Sequence, residues 1–408
     1  MKFEDYHIAK SIKSNLKAMG LKRPTDIQFK SIKHILKGED VMAVAQTGTG
    51  KTAAFAIPTV DAVIKEKKQK YAPFVQVLVM VPTRELAEQI TGVFKSLTKG
   101  STVRVAGIYG GVEQDQQINT LLKGTNIVIA TPGRMFDLIA QGKLDISQVQ
   151  TLVIDEADLM LDLGFAKDIK DVLYKLPKKR QTLFFTATID KKIKSLAYDV
   201  VRNAIRIQIS PKNPISKNVV HSVTFIEMDD KRFFLENLVK EHEDKKIVVF
   251  ARTKVRIDRI VAAMARVDVK SEGLHGGLDQ EQRFKVLERF RSNENNLLIT
   301  TDVAARGIDI PSVEAVVNYD LPDVFENYVH RCGRTGRGNN VGQAISFCSD
   351  GERKLLEGIE KYIGSEIERF ELSKSDYKQI LDDTDDGSDD WQSLLKKSNE
   401  DDGTEDVW

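Results

Sequence analysis

Eight short apolar runs constrain the chain most. They are VQVLVMV, NIVIA, TLVID and TLFFTA in the first half, and KIVVFA, NLLITTD, EAVVNY and QAISFC in the second. Each is rich in Val, Ile and Leu, and none alternates cleanly with polar residues. A strand with one wet face alternates; a strand buried on both faces does not, and such strands belong to parallel sheets. Helical patterns such as TRELAEQITGVFKSL, DQEQRFKVLERFR and VRIDRIVAAMARV lie between the runs. Strand then helix, repeated, predicts a doubly wound α/β fold. At 408 residues the chain exceeds one ordinary core, and about 150 residues per domain gives two or three. The polar, two-proline stretch SPKNPISKN falls near the middle. The expected organisation is a domain over 1–209, a linker over 210–218, a domain over 219–371 and a tail over 372–408. Ligands of open α/β sheets gather at the carboxyl ends of the strands, so the polar residues after each run are where chemistry is sought.

After DVMAVA comes AQTGTGKT, Ala45 to Thr52, and then the helical AAFAIPTVDAVI. Strand, glycine-bearing loop and helix is the layout of a phosphate-binding P-loop. Gly48 and Gly50, with Gln46, Thr47 and Thr49 between and before them, let backbone N–H groups approach phosphate oxygens. The amino end of the helix that follows favours anions. Lys51 is placed to reach β- and γ-phosphates, and Thr52 to hold Mg²⁺. Ala45 stands where the general pattern has glycine.

The stretch TLVIDEADLML, Thr151 to Leu161, runs a buried strand into Asp155, Glu156 and Asp158. Three carboxylates there need a positive partner. Beside a P-loop, the expected partner is a metal ion on a nucleotide rather than a side chain. Asp155 would face Mg²⁺, largely through water. Glu156 would position and deprotonate the water that attacks the γ-phosphate, and Asp158 would hold neighbouring groups. Taken alone, the three acids could also be an ordinary strand end facing solvent.

Composition excludes other classes. No apolar run approaches the roughly 18 residues of a membrane span, and MKFEDYHIAK has no apolar signal core, so export is not expected. Cys332 and Cys348 make no disulfide framework or zinc site, which fits a reducing cytosol. From Ser373 onward there are 12 acids and 4 bases, a balance of −8; with a total of +1, the remainder carries +9. A basic body suits polyanions. The acidic tail reads as disordered and solvating, or else as a tethered partner peptide or an electrostatic competitor for the polyanion-binding surface.

With AQTGTGKT and DEAD in one chain, the sequence resembles the DEAD-box ATP-dependent RNA helicases of bacterial type, over roughly residues 3 to 350. The resemblance implies two RecA-like domains, ATP and Mg²⁺ as cofactors, RNA as partner, and a cytoplasmic monomer. GLKRPTDIQ resembles the Q motif: Thr25 and Gln28 would lie at the adenine, and Gln28 would read its edge. Phe3, seventeen positions before Gly20, matches the aromatic that stacks on the base. PTRELA, with Pro82, Thr83 and Arg84, is like motif Ia, and Gly110 with Gly111 is like the GG pair. TPGR, with Thr131, Pro132, Gly133 and Arg134, is like motif Ib. These three grip one RNA backbone in the family. Thr hydroxyls, exposed glycine N–H groups and Arg forks suit phosphates without reading bases. TAT, Thr186 to Thr188, sits where many members have S-A-T.

In the second half VVFARTK resembles motif IV, with Phe250 and Arg252, and QEQR supplies Gln280 and Arg283 of the family's Q-x-x-R. These too are expected on the RNA side. TTDVAARGID resembles motif V: Thr300 and Arg306 would touch RNA, Gly307 and Asp309 the ribose side of the nucleotide. HRCGRTGR is like motif VI. Arg334 and Arg337 align with arginine fingers, and His330 with a residue linking motif VI to the DEAD carboxylates. Cys332 reads as a small buried apolar residue.

The lysine and carboxylates are thus expected on one domain and the arginines on the other. An arginine finger is worth about 10³ to 10⁵ in rate, or about 4 to 7 kcal/mol, so hydrolysis should report closure of the cleft. ATP and single-stranded RNA, each favouring the closed state, should tighten one another. Bending one strand on closure would open only short duplexes, locally. An ATP-dependent RNA clamp with little unwinding remains the alternative. The Q motif argues against a DNA helicase, and HRCGRTGR against a metabolic kinase.

Overall fold

The computed structural model describes residues 2–45, 48–67, 74–189, 191–209, 218–305, 313–336 and 341–370, together with 373, 375, 377, 378, 380 and 381. Among the described residues fourteen strands form two sheets of seven, in which neighbouring strands pair in parallel. The first lobe holds β1 (Val41–Val44), β2 (Val77–Met80), β3 (Val105–Ile108), β4 (Ile127–Ala130), β5 (Thr151–Ile154), β6 (Gln181–Thr186) and β7 (Ile205–Gln208). The second holds β8 (Val219–Phe225), β9 (Ile247–Phe250), β10 (Glu272–Leu274), β11 (Leu297–Thr300), β12 (Ala315–Asn318), β13 (Gly342–Cys348) and β14 (Glu368–Phe370).

The orders are β3-β4-β2-β5-β6-β1-β7 and β10-β11-β9-β12-β13-β8-β14. Central strands β1, β2, β4, β5, β9, β11 and β12 are buried at every residue. Alternate residues of each strand therefore enter separate cores. In the first lobe Val41, Ala43, Val77, Val79 and Phe185 pack under one helix layer, while Met42, Leu78, Met80, Leu152 and Phe184 pack under the other. This is why the strands read as unbroken apolar runs.

The linker expected over 210–218 lies outside the described residues except for Asn218. The tail expectation needs one correction. Ser375, Tyr377, Lys378, Ile380 and Leu381 are helical, and Tyr377, Ile380 and Leu381 pack on the core of the second lobe. The Tyr377 hydroxyl donates to Asp230 Oδ2 at 2.7 Å and accepts from Glu227 N–H at 3.1 Å, and its ring meets Phe234 at 4.8 Å. Three apolar side chains on a helical face are enough to dock this segment; residues 382–408 lie outside the described ones. Among the described residues no helix is long and apolar enough to cross a membrane.

Candidate functional site

The register places the P-loop, motif Ia, the GG pair, TPGR, the DEAD carboxylates and TAT at the carboxyl ends of β1, β2, β3, β4, β5 and β6 respectively. Adjacent parallel strands end together, so residues far apart in sequence meet along one edge.

Gly48 and Gly50 take φ of +79° and +93°, backbone that other residues resist. A Cβ on Gly50 would also fall 2.3 Å from Gln28 Nε2. Gln46 and Thr47 lie outside the described residues; Thr49 is half-buried. Lys51 opens the helix Lys51–Lys67, with Thr52 beside it. Its ammonium is 2.9 Å from Glu156 Oε1. The expectation that no side chain supplies the positive charge at DEAD is therefore corrected: Lys51 faces Glu156 directly. Burial opposes the Lys51 charge, but Glu156, Asp155 and Asp158 outweigh it and hold its pKa above the ordinary value.

Asp155 is 2% exposed and accepts the Glu156 N–H at 3.0 Å. Burial first, and the Glu156 charge second, push its carboxyl up to about 7. One lysine among three acids leaves room for further cation charge. Glu156 caps the helix Ala157–Asp162 with φ of 51°, a left-handed conformation that costs a non-glycine residue about 1 kcal/mol or more. Asp158 Oδ2 accepts from Ala187 N–H, Thr188 N–H and the Thr188 hydroxyl at 3.1–3.3 Å. Its role is thus to tie DEAD to TAT. Thr186 is buried and donates to Thr188 O. Ala45 is buried, with its N–H on Thr186 O at 3.0 Å.

Gln28 donates to Gly50 O at 3.0 Å and accepts from Thr25 N–H at 3.0 Å. It braces the P-loop from a capping box shared with Thr25. One amide N–H and one lone pair remain for a base edge. Phe3 is buried, its ring 6.3 Å from that of Tyr6, and its N–H donates to Lys22 O at the start of the Q motif.

The phosphate-suited motifs converge. The Arg84 guanidinium lies on Gly110 and Gly111, where a Cβ on Gly111 would overlap it. Arg84 Nη1 is buried without a hydrogen-bond partner. Burial, with Arg134 and Arg283 nearby, holds its pKa below the ordinary value despite Glu85. Arg134 donates both Nη groups to Val112 O, and Thr131 and Pro132 begin its helix, with open space at Gly133. Pro82 precedes Thr83, which caps the helix Arg84–Leu97 by accepting Leu86 N–H.

In the second lobe several assignments change. Thr300, expected at RNA, is 0% exposed and gives its hydroxyl to Leu274 O at 3.0 Å. As the last residue of a central strand it points inward; half-buried Thr301, one position on, caps the next helix. Arg283, also expected on RNA, pairs across the lobes with Glu85 at 2.9 Å, because that buried carboxylate needs a counter-charge. Arg252 is held by Leu321 O, Glu352 and Asp323 inside its own lobe. Gln280 begins the helix Gln280–Arg291. Arg306, Gly307, Asp309 and Arg337 lie outside the described residues. Arg334 is buried just past the helix Phe325–Cys332. His330 lines a cleft of about 1080 Å³ together with Asp158 and Thr188 of the first lobe.

Sequence reasoning missed Glu85 and Arg331. Arg331 is 2% exposed, clamps Asp302 with two nitrogens at 2.6 and 2.7 Å, and stacks on Phe250. The signal was present: each is a charge on the buried face of an amphipathic helix.

Known proteins share this geometry. The family model "DEAD/DEAH box helicase" matches residues 25–196, and "Helicase conserved C-terminal domain" matches 230–339. The ATP-dependent RNA helicase RhlB of Shewanella amazonensis is 38% identical over 90% of this chain and 84% of its own length. The chain is a DEAD-box ATP-dependent RNA helicase. Among solved structures similar to this helicase, S. cerevisiae Dbp5 bound to RNA and ADP BeF3 has a TM-score of 0.81 at 29% identity, over 93% of this chain and 99% of that one. A DEAD box protein from Methanococcus jannaschii is 34% identical over 91% and 99%, with a TM-score of 0.53. The helicase thus superposes as a whole on the RNA-bound relative better than on the one nearer in sequence.

Proposed function

We propose that the chain hydrolyses ATP in the cleft between its lobes and couples closure of that cleft to gripping single-stranded RNA. The observation that carries this reading is the Lys51–Glu156–Asp155 cluster: a buried ammonium, a buried carboxylate and a partly buried one at the amino end of a P-loop helix. Thr52 and Asp155 are hard oxygen donors, and Asp155's carboxyl, raised first by burial and then by Glu156, is one whose charge a divalent cation would stabilise. These residues fit Mg²⁺, which supplies charge neutralisation on the phosphates when bound. Lys51 then leaves Glu156 for the phosphates, freeing Glu156 to orient and accept a proton from the attacking water. Asp158, TAT and His330 link this chemistry to the second lobe, whose Arg334 and Arg337 are the finger candidates.

Arg84, Arg134 and the two glycines form the RNA grip; Arg84 Nη1, buried and unsatisfied, has its remaining capacity for a phosphate oxygen. The Arg283–Glu85 pair is the latch that favours the arrangement shared with RNA-bound Dbp5. Separation of short duplexes follows from bending one strand, without translocation, in a chain that acts as a monomer within domains 1–209 and 219–371.

The test is ATP turnover with RNA, with DNA and without nucleic acid. RNA should stimulate and DNA should not, since 2′-hydroxyls distinguish them. Glu156→Gln should lower turnover by about 10² to 10⁴ while leaving a long-lived complex with ATP and RNA. Turnover at the parent rate would remove the water-positioning role, and equal stimulation by DNA would remove the RNA specificity.

A further inference from the structure

Residues 166–202 of the first lobe carry ten lysines and arginines against four aspartates, a net +6. With +1 for the whole chain and −8 from residue 373 on, everything else together holds only +3. Residues 10–37 are as basic, with eight lysines and arginines against one aspartate; in residues 166–202 the charge lies on the helices Ala166–Lys175 and Lys191–Val200 and on the turn that leads from the first into β6. The two helices lie side by side, bridged by Lys170 and Asp199 at 3.0 Å, and bury Ile169, Val172, Ile193 and Leu196 against the sheet.

Their outer face combines charge with bare aromatic rings. Tyr174 is 89% exposed and Tyr198 is 62% exposed. Around them Lys175, Lys178, Lys179 and Arg202 are exposed as well. The helices run into β6 and β7, the two neighbours of β1, so their ends share the edge of the lobe opposite the P-loop and the Arg84–Arg134 track. Lys170, midway along the first helix and paired with Asp199, and Lys192, at the start of the second, line the cleft beside His330 and Tyr362. Asp158, Asp162 and Asp199 line the cleft as well, so the unpaired positive charge lies mainly toward the far edge, at Lys175, Lys178, Lys179 and Arg202.

We propose that this face is a second binding site for single-stranded RNA, which holds a strand beyond the segment gripped by Arg84 and Arg134. The lysines and arginines take phosphates, and Tyr174 and Tyr198 stack on bases. A merely solvated helix face needs lysines but no tyrosines. Two rings left in water expose apolar area that stacking removes, and stacking on an aromatic side chain accepts any base. The contribution is sequence-tolerant and salt-dependent.

This second site rests on the RNA grip proposed above, and probe length separates the two. A short oligouridylate reports the track; a much longer one reports track and basic face. In the full-length protein, Tyr174→Ala with Tyr198→Ala should weaken the long oligomer about tenfold and leave the short one unchanged. Lys175→Glu with Lys179→Glu should lower the salt slope for the long oligomer by about 0.7 for each phosphate no longer neutralised. Both variants should keep the parent's thermal unfolding and its ATP turnover on short RNA. Unchanged affinity and slope for the long oligomer overturn the proposal. So does an effect of the variants that vanishes when the chain is ended after Leu381, because the acidic tail would then be the occupant. Failure of the short oligomer to bind the parent protein would instead refute the RNA grip.

Discussion

The two lobes share a topology and treat charge in opposite ways. The first leaves it incompletely answered: Asp155 carries a raised pKa, Arg84 a lowered one, and Arg84 Nη1 has no partner. The second pairs several of its buried charges internally, Arg283 with its partner across the lobes apart. Arg331 clamps Asp302, Lys231 is buried between Tyr319 O and Glu352, and Arg256 meets Asp320 at 3.0 Å beneath the Tyr319 ring. Unanswered charge is what a ligand site needs, since a ligand supplies the missing half. Buried, mutually satisfied charge fixes geometry and is costly to break.

The largest expected effect separates the lobes by stability. Arg331→Ala strands Asp302 and should destabilise the second lobe by about 3 to 5 kcal/mol, read as a lower thermal midpoint. Arg84→Ala should change stability by no more than about 0.5 kcal/mol while weakening RNA binding. Equal losses of stability would end the contrast. Next comes the bridge between lobes. Arg283→Ala removes the charged hydrogen bond from Arg283 to the buried Glu85, about 1.5 to 3 kcal/mol. RNA affinity should fall roughly tenfold or more with a non-hydrolysable ATP analogue and stay level without it. An equal loss in both conditions would make Arg283 an RNA contact after all.

The smallest effect is one of sign with pH. Asp155's carboxyl is raised from 3.8 to about 7 by burial and Glu156, so the fold favours its protonated form. Its stabilisation is complete below 3.8 and is lost as pH rises through about 7. His221 is lowered from 6.5 to about 4 by burial, so the fold favours its neutral form. Its stabilisation is complete above 6.5 and is lost as pH falls through about 4. Acidifying the nucleotide-free protein from 6.5 toward 4 should therefore protect β5 and expose β8 in hydrogen exchange, corrected for intrinsic rates. Slopes of one sign in both lobes would contradict the assignment.

The strands that could be read from the chain are the interior ones. β2, β4, β5, β6, β9, β11, β12 and β13 correspond to the eight apolar runs, and β1 to DVMAVA. Those not anticipated are β3, β7, β10 and β14, the four sheet edges, and β8 beside an edge. An edge strand has a free side and a partly wet face, so it need not be an apolar run: β7 is IRIQ and β14 is ERF. The site divided the same way. AQTGTGKT and DEAD named themselves because phosphate chemistry demands particular residues at particular spacing. Thr300 against Thr301 did not, because one position of register decides whether a hydroxyl faces the core or the surface.

By itself, then, the sequence determined the two parallel sheets, the P-loop with its carboxylates, and the family. Each is written locally, as apolar runs or as a short motif. The tertiary structure decided where each charge ends. Only folding brings Arg283 to Glu85, Asp158 to Thr188, Tyr377 to Asp230, and two bare tyrosines onto one basic face. A charge's partner depends on which strands lie side by side, and the order of strands in a sheet is not the order of strands in the chain.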